Sequence, residues 1–390
     1  MKIKLVVEVL CILWLAACTN RSTIIQSYIP LAITQTEPLE LSKTTPAEQT
    51  KTLPVQEGVL LTPTLRSVKT ELACKAVSMD SGHILFLKKG RADISTGRNN
   101  LYIMDGNGCF PTLVMERVDS SPAWSKDGEQ IAIVCDENKY VCILDAQTIL
   151  DSCFGPEKSD STTCVPTILE KYPLPEWAGK VYYISWSPDD SMIAIDGYDV
   201  TENTADEYFL STLDLANGGK WILLKTRAYE FESDWSPVEN KLAYSSEIID
   251  LDTDHVVNNF PGYNPQWFPT GDQIAFYRDI VNDENRYTIE PTGIALFNIK
   301  DNTWEWVYEP APWNSYDHFM GNIFLGSQDN FRQMSWDPSG RYIAFVSPYR
   351  NGYDDEIFRL DTLTGEIVVL TAGYVPSKGG GSSFAPVWGP

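Results

Sequence analysis

Few side chains in this chain could carry out chemistry. Its three histidines, His83, His255 and His318, lie far apart, so neither a metal triad nor a Ser-His-Asp set is written into any local spacing. There is no Gly-x-Ser-x-Gly elbow, no phosphate-cradling glycine loop and no His-Glu-x-x-His. Asp-rich pieces such as Asp250-Leu-Asp-Thr-Asp254 lack the glycine and closing glutamate of a calcium loop. No catalytic residue, metal ligand or cofactor is therefore assigned. The cysteines are more informative. Leaving aside Cys11 and Cys18 near the N-terminus, an even set remains: Cys74, Cys109, Cys135, Cys142, Cys153 and Cys164. Outside the cytoplasm such a set reads as disulfides. Cys135 and Cys142 flank a hairpin centred on Asn138-Lys139 and are expected to face each other across it. Cys153 and Cys164 close a Gly/Ser/Asp-rich excursion, and by elimination Cys74 pairs with Cys109. The other reading, free buried thiols or a zinc site, lacks the Cys-x-x-Cys spacing that structural zinc favours.

The remaining chemistry is recognition. Trp177, Tyr198, Trp313, Tyr316, His318, Phe319, Tyr349, Tyr353 and Tyr374 fall beside Asp199, Asp354 and Asp355 in stretches without strand pattern. Aromatics with charge nearby are what the centre of a protein interface favours. The alternative is that these aromatics plug their loops onto the scaffold. The choice between the two depends on the elements that position them.

Those elements repeat. Trp124, Trp186, Trp235, Trp267 and Trp336 are each followed seven residues later by an aliphatic (Ile131, Ile193, Leu242, Ile274, Ile343) and then by an alanine (Ala132, Ala194, Ala243, Ala275, Ala344). The run continues with Ile133, Ile195, Tyr244, Phe276 and Phe345, and an apolar run without polar alternation is a strand buried on both faces. Between Trp and strand stand Ser-Lys-Asp-Gly (125–128), Ser-Pro-Asp-Asp (187–190) and Asp-Pro-Ser-Gly (337–340), whose Pro and Gly suit a tight turn. Third strands end in an acidic or amide turn at Asp105, Asp145, Asp214, Asp252, Asn298 and Asp361, and fourth strands follow, such as Trp221-Ile-Leu-Leu and Ile367-Val-Val-Leu. A strand-only repeat at a period of roughly 40 residues selects a propeller. Six sets of four strands predict an all-β, six-bladed β-propeller of antiparallel blades, with seven blades as the runner-up. The first blade lacks a Trp-type strand and the C-terminal Phe384-Ala-Pro-Val-Trp388 is an orphan one, so ring closure by 384–388 is expected. Residues 72–78 could instead supply that strand. The repeated Trp residues are read as core between blades.

This pattern resembles the TolB-type, WD40-like propeller repeat, approximately Pro-x-Trp-Ser-Pro-Asp-Gly-x-x-Ile-Ala-Phe, over about 80–390. Pro122 and Pro265 keep its first proline, whereas Ser-Pro-Val-Glu (236–239) and Phe-Pro-Thr-Gly (268–271) depart from it in the turn. TolB-like propellers also occur joined to an α/β-hydrolase domain, for which this chain is read as having no room. Sialidases carry their Asp-box with Trp after the turn, the reverse of the order here.

Residues 1–17 read as an export signal, Lys2 and Lys4 preceding an apolar stretch, although Glu8 interrupts it. Leu15-Ala16-Ala17-Cys18 resembles a lipobox, with Cys18 as the lipidated residue, and in a cell with two membranes Thr19 after it favours the outer one by resemblance to bacterial lipoproteins. Residues 18–70 are rich in Thr, Ser, Pro, Glu and Gln and read as a disordered tether with a reach of roughly 40 Å, ahead of a propeller domain at 71–390. Of the formal net charge of −23, residues 71–390 carry 23 basic against 48 acidic groups. So acidic a domain repels phosphate backbones, and nucleic acid is not an expected partner. The sequence thus predicts a monomeric, lipid-anchored, extracytoplasmic propeller that binds an envelope or surface protein. The competing readings are a glycan-binding or glycan-cleaving propeller, hydrolase or lyase, and a structural spacer. The working face is expected where the chain spends its extra residues. These are 196–207, 279–293 and 347–355 within blades, and 175–182, 309–332 and 374–383 between them.

Overall fold

The computed structural model describes residues 82–90, 99–155, 164–199, 208–227, 233–279, 292–309, 334–347, 355–371 and 381–389. Their strands form six four-stranded antiparallel sheets, and the domain is a six-bladed β-propeller. Blade 1 comprises β24 (Gly381–Gly389), β1 (His83–Gly90), β2 (Asn99–Asp105) and β3 (Thr112–Val118), in that order from the axis outward. Blade 2 is β4 (Ala123–Trp124), β5 (Gln130–Cys135), β6 (Tyr140–Asp145) and β7 (Ile168–Pro173). Blade 3 is β8 (Ala178–Trp186), β9 (Met192–Asp199), β10 (Tyr208–Asp214) and β11 (Lys220–Arg227). Blades 4, 5 and 6 begin with β12 (Ser233–Trp235), β16 (Tyr263–Trp267) and β20 (Ser335–Trp336) and continue in the same way. The C-terminal strand closes the ring on β1, as the orphan Trp-type segment predicts.

The seven-residue spacing is the pairing register. Trp124 stands opposite Ile131, Trp186 opposite Ile193, Trp235 opposite Leu242, Trp267 opposite Ile274 and Trp336 opposite Ile343. The sixth pair, Trp388 with Ile84, joins the two ends of the described chain. These indoles are 3–9 % exposed, which makes them core. Six apolar clusters lie at the junctions between successive blades, from Leu85, Leu101, Ile131 and Ile133 between blades 1 and 2 round to Ile84, Phe86, Ala344 and Trp388 between blades 6 and 1. Each central strand is sandwiched by two neighbouring blades, which is why its apolar run does not alternate.

The third-strand acids have one local task. Asp105, Asp145, Asp214, Asp250 and Asp361 each accept backbone N–H bonds from residues two to four further on, at 2.7–3.2 Å, and Asn298 does the same. They are turn formers rather than ligands. In blade 4 the residue in this role is Asp250, two positions before the strand end read from sequence.

Three local features differ from expectation. The 146–166 excursion opens with a helix, α1 (Ala146–Phe154), capped by the Asp145 carboxylate on Thr148 N at 2.8 Å and buried through Ala146, Ile149 and Cys153. Residues 178–182 and 196–199 belong to β8 and β9, which pair as far as Ala178 opposite Asp199 and lengthen blade 3. The Cys135–Cys142 bridge is diagonal, because Cys135 stands opposite Tyr140 and Cys142 opposite Ile133. Three successive left-handed residues, Asp136, Glu137 and Asn138, turn that hairpin, and its centre lies one residue before Asn138-Lys139, so that each partner is displaced by two positions. The Cys153–Cys164 bridge is present as expected, and Cys109 is also disulfide-bonded. Cys74, its expected partner, lies outside the described residues.

Candidate functional site

In a blade of this topology the turns joining first to second strands lie at one end and the second-to-third connections and inter-blade links at the other. The first-to-second turns nest against one another around the axis. Asp190, at φ 57° where the repeat usually has glycine, uses its carboxylate to accept Lys126 N at 2.6 Å and Asp127 N at 3.1 Å from the turn of the preceding blade. Gly340, at φ 72°, lets its turn close over Phe268 of blade 5, where a Cβ would meet the ring at 2.4 Å. This end of the ring is therefore built as one surface.

A cavity of about 260 Å³ opens on this face along the axis. Every blade contributes the residue just before its Trp: Ala123, Ser185, Asp234, Gln266, Ser335 and Val387. The Trp residues and Pro188, Pro237, Pro269 and Pro338 surround them, with Lys126 exposed at the mouth. The ring is uneven. Ala123 and Val387 are apolar, whereas the side chains from blades 3 to 6 are polar.

Those polar side chains also hold the blades together. The innermost strand of a blade has no inner partner for its backbone, and a side chain of the preceding blade supplies one. Trp235 N donates to Ser185 Oγ at 2.6 Å, Trp267 N to Asp234 Oδ2 at 2.7 Å, and Trp388 N to Ser335 Oγ at 2.9 Å. Two indoles reach back in the same manner, Trp186 Nε1 to Ala123 O at 3.1 Å and Trp267 Nε1 to Asp234 O at 2.9 Å. Asp234 sits in the middle of the polar half, with Ser185 Oγ 3.5 Å from its Oδ1 and the Gln266 side chain also hydrogen-bonded to it. Desolvation pushes its carboxyl up to about 7, against the opposing pull of these hydrogen bonds. Asp337, the other acid of the lining, is committed to its own turn through Tyr342 N at 2.6 Å and Ser339.

Of the residues singled out for the loop face, the structure describes only some. Trp177 is half-buried, edge-on to Phe209 with centroids 4.9 Å apart. Asp355 is 5 % exposed, and its carbonyl accepts Ser383 N at 2.8 Å. The backbone of Tyr198 and Asp199 is in β9. Trp313, Tyr316, His318, Phe319, Tyr349, Tyr353, Asp354 and Tyr374 lie outside the described residues. His83 packs against Phe154 with centroids 4.9 Å apart, and His255 is exposed on β15 (His255–Asn259). Among the described residues no group of three or more His, Cys, Asp or Glu side chains could hold a metal.

No protein-family model matches the chain, and no curated protein matches it. Solved structures do. TolB from Acinetobacter baumannii aligns at 17 % identity and TM-score 0.51, covering 80 % of this chain and 67 % of that one. An oligogalacturonate lyase from Vibrio parahaemolyticus aligns at 12 % identity and TM-score 0.44, covering 77 % and 78 %. The propeller domain of the trilobed protease from Pyrococcus furiosus aligns at 13 % and 0.37, covering 65 % and 71 %. With its register, its closed ring and this likeness together, the chain is in fold a TolB-like six-bladed β-propeller.

Proposed function

We propose that the protein is a binding module of the cell envelope, carried by a lipid on Cys18 and the Thr/Ser/Pro-rich segment that follows it, that recognises another envelope or surface protein through the turn face of its propeller. The observation that carries this reading is the axial cavity, to which each blade gives the residue before its Trp, a position that varies from blade to blade while the Trp beside it recurs. Variable side chains held by a rigid frame are the usual arrangement of a recognition site. The frame is closed by strand pairing and by staples between blades, so little ordering is needed on binding. The disulfides fit an oxidising compartment.

This reading separates from a glycan-processing enzyme in one comparison. The purified domain is expected to bind a protein from envelope extract saturably and to leave chromogenic glycosides and uronate oligomers unchanged. Turnover of such a substrate, lost in Asp234→Asn, would reverse the assignment.

A further inference from the structure

We propose that the axial cavity is a pocket for one cationic side chain, an arginine of the bound partner, with Asp234 as its counter-ion. The proposal rests on the binding reading above and names its chemistry.

Size is the first reason. About 260 Å³ is below the roughly 300–1,000 Å³ of pockets for drug-sized ligands and is on the scale of one amino-acid side chain. Polarity is the second. Asp234 faces the cavity from blade 4, flanked by the acceptor-bearing Ser185 and Gln266, with Ser335 further round the ring. Its carboxylate already accepts Trp267 N at 2.7 Å and is hydrogen-bonded by the Gln266 side chain and the Trp235 backbone, whereas the contact of Oδ1 with Ser185 is long at 3.5 Å and is the one a stronger donor would replace. A guanidinium presents a planar fork of donors and is weakly hydrated, so it uses such an arrangement better than an ammonium does. Ala123, Val387 and the proline rim offer the apolar surface its stem needs. A divalent cation is the poorer fit, since it requires several oxygen ligands and the cavity offers a single carboxylate besides the turn-bound Asp337. The formal net charge of −23 draws a basic partner from a distance, but that attraction is diffuse, and the cavity gives it a fixed end point.

The test uses Nα-acetyl-arginine amide and its citrulline counterpart, which has nearly the same shape without the charge, titrated calorimetrically into the full chain at low salt. The arginine probe is expected to bind at one site. Binding should weaken at least tenfold for the citrulline probe and at least tenfold in Asp234→Asn. Ala123→Phe, which fills the cavity and keeps the backbone carbonyl that accepts Trp186 Nε1, should abolish it, and Glu305→Gln, which removes the same charge from the outer strand β19 (Thr303–Tyr308), should leave it unchanged. Melting curves show whether each variant is folded. Equal binding of the two probes, parent-like binding by Asp234→Asn, or many weak sites lost equally in Glu305→Gln would overturn the proposal. If the arginine probe fails while a partner is still bound through the turn face, this inference falls and the binding reading stands.

Discussion

Truncation after Gly380 is expected to yield a protein that aggregates or melts far below the parent. The deleted β24 pairs with β1 from His83–Gly389 to Gly90–Gly381, so its loss leaves an open sheet edge on blade 1. It also strips Phe384 and Ala385 from the blade 1–2 cluster and Trp388 from the blade 6–1 cluster. A single large-to-small change at such a site costs about 3–5 kcal/mol, so Trp388→Ala alone is expected to lower Tm by roughly 10 °C. Trp388 also stacks on Tyr342, and its backbone N–H holds Ser335, so damage should spread to blade 6. Differential scanning calorimetry of both variants measures this. A truncated chain melting like the parent would show that the ring does not depend on its C-terminal strand.

Asp234→Asn is expected to stabilise the protein at pH 8 by on the order of 2 kcal/mol while leaving it near parental stability at pH 4. The folded carboxyl titrates at about 7, far above the ordinary aspartate range, because burial disfavours its charged form. Between roughly pH 4 and 7 the folded state therefore holds a proton that the unfolded state has released. Stability drawn from this group falls as pH rises through that window and is flat above it. Asparagine keeps an oxygen for Trp267 N and carries no charge, so it removes the slope. Asp119 and Asp190, also raised by burial, act in the same sense in both proteins, whereas hydrogen bonds hold Asp189, Asp214 and Asp250 below their usual range, and the contribution of those three is lost as pH falls through it. The measurement is thus the difference between variant and parent Tm across pH 4–8. A difference that does not change with pH would mean that Asp234 is ionised throughout. Asp196, buried on β9 and accepting Ser233 N at 2.7 Å, is left intact in both proteins.

The fold was legible because it rests on positions the chain repeats. Trp, the aliphatic seven residues on and the alanine after it recur because they occupy equivalent places between blades, so spacing became register without correction. Helix α1 was not legible. Its apolar residues Ala146, Ile149, Leu150, Cys153 and Phe154 do follow helical spacing, but over only nine residues, and its start signal, Asp145, is also a strand-ending acid in the repeat. Nor were the long strands of blade 3, where register shifts at Ala178–Lys180 and Val181–Tyr183 break the alternation that would have marked them. The cavity was hidden for the opposite reason to the fold. Its lining is the position before each Trp, occupied by six dissimilar residues of which only serine occurs twice, and a search for similarity passes over a place whose role is to differ. The signal that could have found it is Asp234, the one acid to precede a repeat Trp.

The most direct test of the turn face as the working surface is site-specific photo-cross-linking in intact cells, with the reactive residue placed at Lys126 on the cavity mouth or at Trp313 in the long 309–332 stretch that the sequence assigns to the other face. A discrete adduct with an envelope protein is predicted from position 126, diminished by Ala123→Phe, and none from position 313. An adduct from position 313 alone, lost in the Tyr353→Ala background, would contradict the assignment and place recognition on the loop face.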